Sequence, residues 1–222
     1  MNTIIVLAMF SQEKTVDDAL KRIESALAGA KTVRVKFKSE GSGKRGDNET
    51  KIVFSGLLLL KEENRSRFET KSEVNSDEKA TASIVSDGFK VRLESSGKST
   101  DRKALKTQNL FYRNELLRLG MLGAAMLYPL AKPSKIGETY LLSNFGDGEE
   151  EKGIKTMTYD LMLAGNKGAG KVKLWYDPNG YKLLRRTLQF ENAEDNVKVE
   201  VSETYEEYAL DIEIPDDRFH IS

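Results

Sequence analysis

The stretch from Ile52 to Leu93 constrains this chain more than any other. Ile52-Val-Phe-Ser-Gly-Leu-Leu-Leu-Leu-Lys61 is one apolar run. Its β-rich composition and the interruption at Gly56 weigh against a helix, where a glycine costs ~1 kcal/mol. Arg65-Ser-Arg-Phe-Glu69 follows a polar Glu62-Glu63-Asn64 turn. Ile84-Val85 then leads into Ser86-Asp87-Gly88, a hairpin signal because Asp-Gly tolerates the positive φ of a tight turn. Phe89, Val91 and Leu93 alternate with Lys90, Arg92 and Glu94, the period of a strand with one apolar and one wet face. The block predicts two strand pairs presenting an apolar face, and it holds no chemistry.

Two helices are predicted beside the strands. Thr15 and Asp18 form a capping-box-like pair. Val16, Ala19, Leu20, Ile23, Ala26, Leu27 and Ala30 then share one helical face, opposite Asp17, Lys21, Glu24 and Ser25. The polar face is not enriched in Lys and Arg, so this helix should pack on the protein's own sheet rather than on a membrane. A second helix is predicted from Asn114, as N-cap, to Leu127. It is apolar nearly all round, interrupted by Gly120 and Gly123, and ended by Tyr128-Pro129 and Lys132-Pro133. It reads either as a buried core helix or as a mobile lid, since methionines adapt to varied apolar shapes. As a lid it would swing outward about Gly120, Gly123 or Tyr128-Pro129 and tolerate a charge at Met121.

The remaining strands follow from alternation. Val33, Val35 and Phe37 form one, with a polar, glycine-rich turn over Gly41 to Asn48. Asn75 to Lys79 and Ser95 to Asp101 read as charged loops, and Asp147 to Lys152 as an acidic one. Tyr140 to Phe145, Met157 to Leu163, Val172 to Tyr176, Tyr181 to Phe190 and Val197 to Val201 read as antiparallel strands, with a turn at Asp177-Pro-Asn-Gly180. At least eight strands and two helices make an α+β protein with one large curved antiparallel sheet. No linker or repeat divides residues 13–222, which form one domain. Residues 1–12 read as a truncated signal peptide or an N-terminal strand, because the apolar run from Ile4 to Phe10 lacks a basic start and a good cleavage site.

Function classes narrow by elimination. Lys plus Arg equals Asp plus Glu at 35 each, which gives no global electrostatic case for nucleic acid. The balance hides an asymmetry: residues 1–46 carry nine basic and five acidic groups, residues 189–222 two basic and eleven acidic. Those acidic C-terminal strands could attract a basic protein partner, or simply face water. There is no cysteine, hence no disulfide and no thiol chemistry. His220 is the only histidine, which speaks against a His-based triad or a multi-histidine metal site. Gly165-Asn-Lys-Gly-Ala-Gly-Lys171 has P-loop spacing, but Val172 replaces the magnesium-binding Ser or Thr and a strand follows. It is expected to be a hairpin loop. Neither an enzyme nor a cofactor is expected.

In order and spacing the chain resembles the periplasmic lipoprotein-carrier superfamily, the LolA-like and LolB-like proteins, over residues 15–220. The matching pieces are the N-terminal helix leading into Val33-Arg-Val-Lys-Phe37, Gly56-Leu-Leu-Leu-Leu-Lys61, Asn64-Arg-Ser-Arg-Phe68 and Ile84-Val-Ser-Asp-Gly88. Leu174-Trp-Tyr-Asp-Pro-Asn-Gly180 and Ile214-Pro-Asp-Asp-Arg-Phe219 match more loosely. The resemblance implies an incomplete β-barrel closed by helices, a periplasmic or secreted location, and an apolar cavity that carries or senses acyl chains. It departs at Glu62-Glu63, where the carriers commonly have Arg-Pro. The arginine tied to lid control is therefore missing, which favours binding of a lipid or acylated protein over lipoprotein transfer proper.

The expected cavity lining follows. Ile52, Phe54, Leu58 and Leu60 share a strand face, as do Val172, Leu174 and Tyr176. Phe68 and Val91 should lie near them, and Leu117, Met121 and Met126 should contribute from the helix. The competing reading is a monomeric scaffold of the same fold with a filled core, acting through its acidic C-terminal strands.

Overall fold

In the computed structural model, which describes residues 18–131, 140–163 and 168–221, eleven strands form one antiparallel sheet. They are β1 (Thr32–Arg45), β2 (Asn48–Lys61), β3 (Arg65–Val74), β4 (Glu78–Asp87), β5 (Lys90–Ser95), β6 (Lys98–Lys103), β7 (Tyr140–Glu151), β8 (Ile154–Leu163), β9 (Ala169–Asp177), β10 (Lys182–Asn192) and β11 (Val197–Leu210). The spatial order is β6-β5-β4-β3-β2-β1-β11-β10-β9-β8-β7. The chain enters the sheet at its centre, walks outward to β6, crosses to the other edge, and walks back until β11 pairs with β1. The crossing is made by α2 (Gln108–Arg118) and α3 (Met121–Ala131). The edges β6 and β7 do not pair with each other, so the barrel stays open. Register shifts at Lys36/Phe37 and Leu183/Arg185 are bulges of the kind that bend and twist a sheet. The predicted α+β class, with an incomplete antiparallel barrel and helices against one face, is the fold observed.

One face of the sheet carries the core. Val33, Val35, Phe37, Leu58, Leu60, Val172, Leu174, Leu188 and Phe190 are buried there with Leu116, Leu117 and Leu122 of the crossing helices. The first helix, α1, spans 18–29 and buries Leu20, Ile23 and Leu27 against this core, the face that periodicity predicts. Thr15 of the proposed Thr15–Asp18 capping pair and Val16 of the apolar face lie outside the described residues, as does the segment 1–12. The four-leucine run is explained by two covered faces. Leu58 and Leu60 point to the main core, while Leu59 packs outward with Ile214 and with Phe219, the last residue of a 3₁₀ turn at Asp216–Phe219.

Several sequence-based boundaries are corrected. The stretch Gly41 to Asn48 is mostly strand: β1 runs to Arg45 and only Gly46-Asp47 turns. The acidic Asp147 to Glu151 belongs to edge strand β7, and Lys98 to Asp101 to edge strand β6, whose residues are all exposed. Edge strands wet on both faces lack the alternation that reveals a strand. The final strand continues past Val201 to Leu210. The single helix expected from Asn114 to Leu127 is two, broken at Leu119-Gly120, where Gly120 adopts φ +75. Asn114 is no cap but lies inside α2. The cap residue of α2, Thr107, makes no side-chain cap bond, and Asn64 Oδ1 accepts from Asn109 N at 3.0 Å instead. Asn64 sits at φ 60 in the β2–β3 turn, so a strand turn caps a helix across space.

Candidate functional site

The inner face of β1–β3 is built around an absence of side chain. Gly56 pairs with Phe37 in register, and a Cβ there would lie 2.9 Å from the Phe37 ring and 2.3 Å from Glu69 O. Glycine lets Phe37, Phe54 and Phe68 close over β2, with ring centroids 5.6 to 6.5 Å apart. Tyr112 of α2 extends the cluster at 5.5 Å from Phe68. Two more glycines seat α3. A Cβ at Gly41 would lie 3.0 Å from Leu122 Cδ2, and one at Gly43 3.2 Å from Met126 Cε.

Beside this contact runs an open groove of about 500 Å3 between α3 and the inner faces of β1, β2, β3 and β11. Ile52, Phe54, Leu122, Met126, Val197 and Val199 line it, with the exposed Arg45 and Asn48 on the same strand face beyond them. A larger depression of about 1070 Å3 lies on the opposite face. Its walls include Arg34, Lys36, Glu206 and Glu207, which pair as Arg34–Glu207 (3.0 Å) and Lys36–Glu206 (2.8 Å). Such a lining offers an apolar ligand little, and the groove beside α3 is the better site. These pairs also show where part of the acidic C-terminal charge goes: β11 lies against the basic β1, so two of its carboxylates face cations of the same molecule.

The N-terminal end of α3 is held by buried charge. Arg186 and Glu203 are opposite each other in the β10–β11 register, and both are fully buried. Arg186 Nη2 donates to Leu116 O and Leu117 O, each at 2.7 Å, at the C-terminal end of α2. Glu203 Oε2 accepts from Met121 N at 3.0 Å and Leu122 N at 3.2 Å, at the N-terminal end of α3, and from Ser39 Oγ at 2.7 Å. The cation meets the negative pole of one helix and the anion the positive pole of the next. Burial opposes the charge on Arg186, but Tyr205, Tyr159 and Glu203 offset this and hold its pKa above the usual guanidinium value. Burial pushes the Tyr205 hydroxyl well above 10. Gly120 is required between the helices: a Cβ there would lie 2.6 Å from Glu203 Oε1 and 2.9 Å from Arg186 Cδ.

Of the residues expected to line a cavity, the structure brings Ile52, Phe54 and Met126 together at the groove. Phe68 is partly buried behind Phe54. Leu58, Leu60, Val172 and Leu174 are fully buried, and Leu117, Met121 and Tyr176 nearly so, all in the main core. Val172, Leu174 and Tyr176 sit on β9, four strands from β2. Val91 is buried on β5, in register with Ser86. Met121 lies at the anchored joint, so a charge there has no route to water by a swing of α3 about Gly120. Sequence reasoning missed Arg186 and Glu203, although a signal was present. Arg186 shares parity with Leu188 and Phe190, and Glu203 with Val199, Val201 and Tyr205, so each is a charge at an inward-facing strand position.

The glycine-rich segment behaves as a hairpin: Leu163 N donates to Gly168 O at 3.1 Å, and Lys171 lies within β9, 3.9 Å from Asp160. Residues 164–167 of that segment lie outside the described residues. Among the described residues no group of three or more His, Asp or Glu is placed to hold a metal ion, and no helix is long and apolar enough to cross a membrane.

No family model and no curated protein sequence matches the chain. Solved structures similar to it include LprF from Mycobacterium bovis, 12% identical, with 92% of this chain and 97% of that chain covered and a TM-score of 0.46. Another is a LolA superfamily protein from Nitrosomonas europaea, 12% identical, covering 95% and 98%, at a TM-score of 0.35. The MucA/MucB complex structure from Pseudomonas aeruginosa aligns with 94% of this chain and 61% of that chain, 11% identical, at a TM-score of 0.33. At these values the likeness concerns the course of the chain alone.

Proposed function

We propose that this chain is a non-catalytic, monomeric binding protein of the periplasm or extracellular space that carries or senses a lipid or an acylated protein. The acyl chain would lie in the groove between α3 and β1–β3. The observation that supports this reading is the groove itself, open to solvent yet lined by Ile52, Phe54, Leu122 and Met126. Burial of ~0.8 kcal/mol per methylene gives an acyl chain affinity without polar specificity. Arg45, exposed on the groove-facing side of β1, would stand beside an anionic head group. Titration of delipidated protein with a fluorescent fatty-acid analogue should show micromolar binding that Phe54→Arg abolishes. A flat titration of the wild type sinks the reading.

A second reading, a scaffold of the same fold with a filled core, is favoured by one observation. Leu58, Leu60, Val172 and Leu174 have no exposed surface and pack into one cluster with Leu116 and Leu117. Native mass spectrometry of freshly purified protein separates the two: co-purifying lipid supports the carrier, and a clean apo mass supports the scaffold.

A further inference from the structure

Three of the large apolar side chains left in water lie at one end of the sheet. Phe89 is 86% exposed, Leu105 62% and Leu110 52%. They belong to separate segments that the fold ties together. Ala104 N donates to Phe89 O at 2.8 Å, and Gln108 N donates to Leu105 O at 3.1 Å as the chain enters α2. Asn64 Nδ2 donates to Leu105 O at 2.5 Å. Phe89 is held at its tip by Asp87, whose Oδ1 accepts from Phe89 N and Lys90 N, both at 2.8 Å. An exposed phenylalanine on a rigid turn buries nothing within the protein, and its exposure is a cost in water.

The acids around it are occupied, and cations are left over. Segments 62–65, 87–92 and 101–106 carry six basic groups and four acidic ones, and Asp216 adds a fifth acid through its bond to Arg65 (2.6 Å), yet three of the cations are left without an acidic partner among the described residues. Of the acids, Asp101 is taken up by Lys90 (2.6 Å) and Arg92 (2.8 Å), Glu63 by Arg65 (3.3 Å), and Asp87 by the turn. Glu62 is exposed nearby. Arg102, Lys103 and Lys106 are exposed and have no ion pair among the described residues.

We propose that this end of the molecule docks on an anionic phospholipid surface. Phe89, Leu105 and Leu110 would enter the boundary between head groups and acyl chains, while Arg102, Lys103 and Lys106 would meet the lipid phosphates. Apolar insertion plus a few basic residues is the combination that gives reversible attachment, each cation adding about fivefold to binding near the surface. The inference is independent of what the groove holds.

The test is flotation of the full chain with phosphatidylcholine vesicles, with and without phosphatidylglycerol. The wild type should float only with the anionic vesicles, and less as salt rises. The double variant Phe89→Ser/Leu105→Ser should remain in the pellet fraction, with an unchanged circular dichroism spectrum because these side chains pack on little. Lys103→Gln/Lys106→Gln should lower partitioning ~25-fold. Absence of flotation with either vesicle overturns the proposal, as does equal flotation with both, or wild-type flotation of the serine variant. Fatty-acid analogue uptake measured on the serine variant should equal that of the wild type. If the groove fails to bind in every variant while flotation persists, the acyl-binding reading falls and this one stands.

Discussion

The joint before α3 and the groove along α3 hold the same helix by different forces. At Met121 and Leu122, two backbone N–H groups are fixed by a buried carboxylate, itself opposite a buried guanidinium that fixes α2. At Met126 the helix lies over Gly41 and Gly43 of β1 with its thioether, at the edge of the groove. Directional bonds in a dry site admit one geometry, because a displaced partner leaves a charge unsatisfied. Apolar contacts admit many, at little cost for a small shift. The helix is therefore pinned where it enters the core and free to adapt where it borders the groove. Ligand-dependent movement is expected at Met126, not at Gly120.

The largest test of this contrast is Glu203→Ala. It removes the anion opposite Arg186, whose bonds to Tyr205, Leu116 and Leu117 remain, and frees two helix N–H groups and Ser39 Oγ in a buried site, so chemical denaturation should show a loss of ~3 kcal/mol. A loss below ~1 kcal/mol would mean that the joint does not pin α3. Next comes a matched pair. Met121→Glu places a carboxylate in the core and should cost ~3 kcal/mol or more, whereas Met126→Glu at the groove should cost under ~1 kcal/mol and remove acyl binding instead. Equal losses in a thermal melt would erase the distinction between the two ends.

Alkaline pH probes the joint from another side. Burial pushes the Tyr159 hydroxyl, which donates to Arg118 O at 2.5 Å, up to about 12. The unfolded value is about 10. The folded state thus holds the proton more tightly, and this contribution is complete below pH ~10 and lost as pH rises through ~12, at most ~3 kcal/mol. Burial pushes Tyr112 to about 12 as well and raises Tyr176, Tyr205 and Tyr208, so the wild type carries all of these losses and Tyr159 only one share. Tyr159→Phe should flatten the fall in melting temperature over this range; an unchanged slope would place the alkaline sensitivity elsewhere. A smaller effect is expected of Gly41→Ala, whose Cβ meets Leu122 and the Glu200 carbonyl at 3.0 Å and should cost ~1 kcal/mol while shifting α3 toward the groove. Smallest is Lys171→Ala, an exposed strand residue, which should leave both the melting temperature and acyl binding unchanged. Protection of the wild type by ATP, lost in that variant, would restore a nucleotide site.

Legibility in the sequence tracked how far local pattern decides structure. Strands with one wet face, such as Val33 to Phe37 and Val172 to Tyr176, were readable because alternation reports burial directly. Edge strand β6 and the Asp147–Glu151 half of β7 were hidden because hydrogen bonding, not burial, makes them strands, whereas Tyr140 to Phe145, which sets Leu142 and Phe145 on the core, was readable. The helix break at Gly120 was half legible: the glycine was visible, but the two charges that require it come from β10 and β11. The groove was legible in Ile52, Phe54 and Met126 but not in Val197 and Val199, because the closure of β11 onto β1 follows from the whole topology.

That closure bears on how the chain reaches its fold. From β1 to β6 and from β7 to β11 every pairing is between strands adjacent in sequence, and only the β1–β11 seam joins distant ones, with Val33 opposite Leu210. Each meander has low contact order and can form on its own within the time of hairpin growth, whereas the seam must close a loop of nearly the whole chain. The seam should therefore set the folding rate. Substitutions at Val35 or Tyr208, which face each other across it, should slow folding more than equally destabilising ones on the outer strands. A chain released before β11 is complete would expose the β1 edge to other molecules, so its transit through synthesis is the interval of greatest exposure to aggregation.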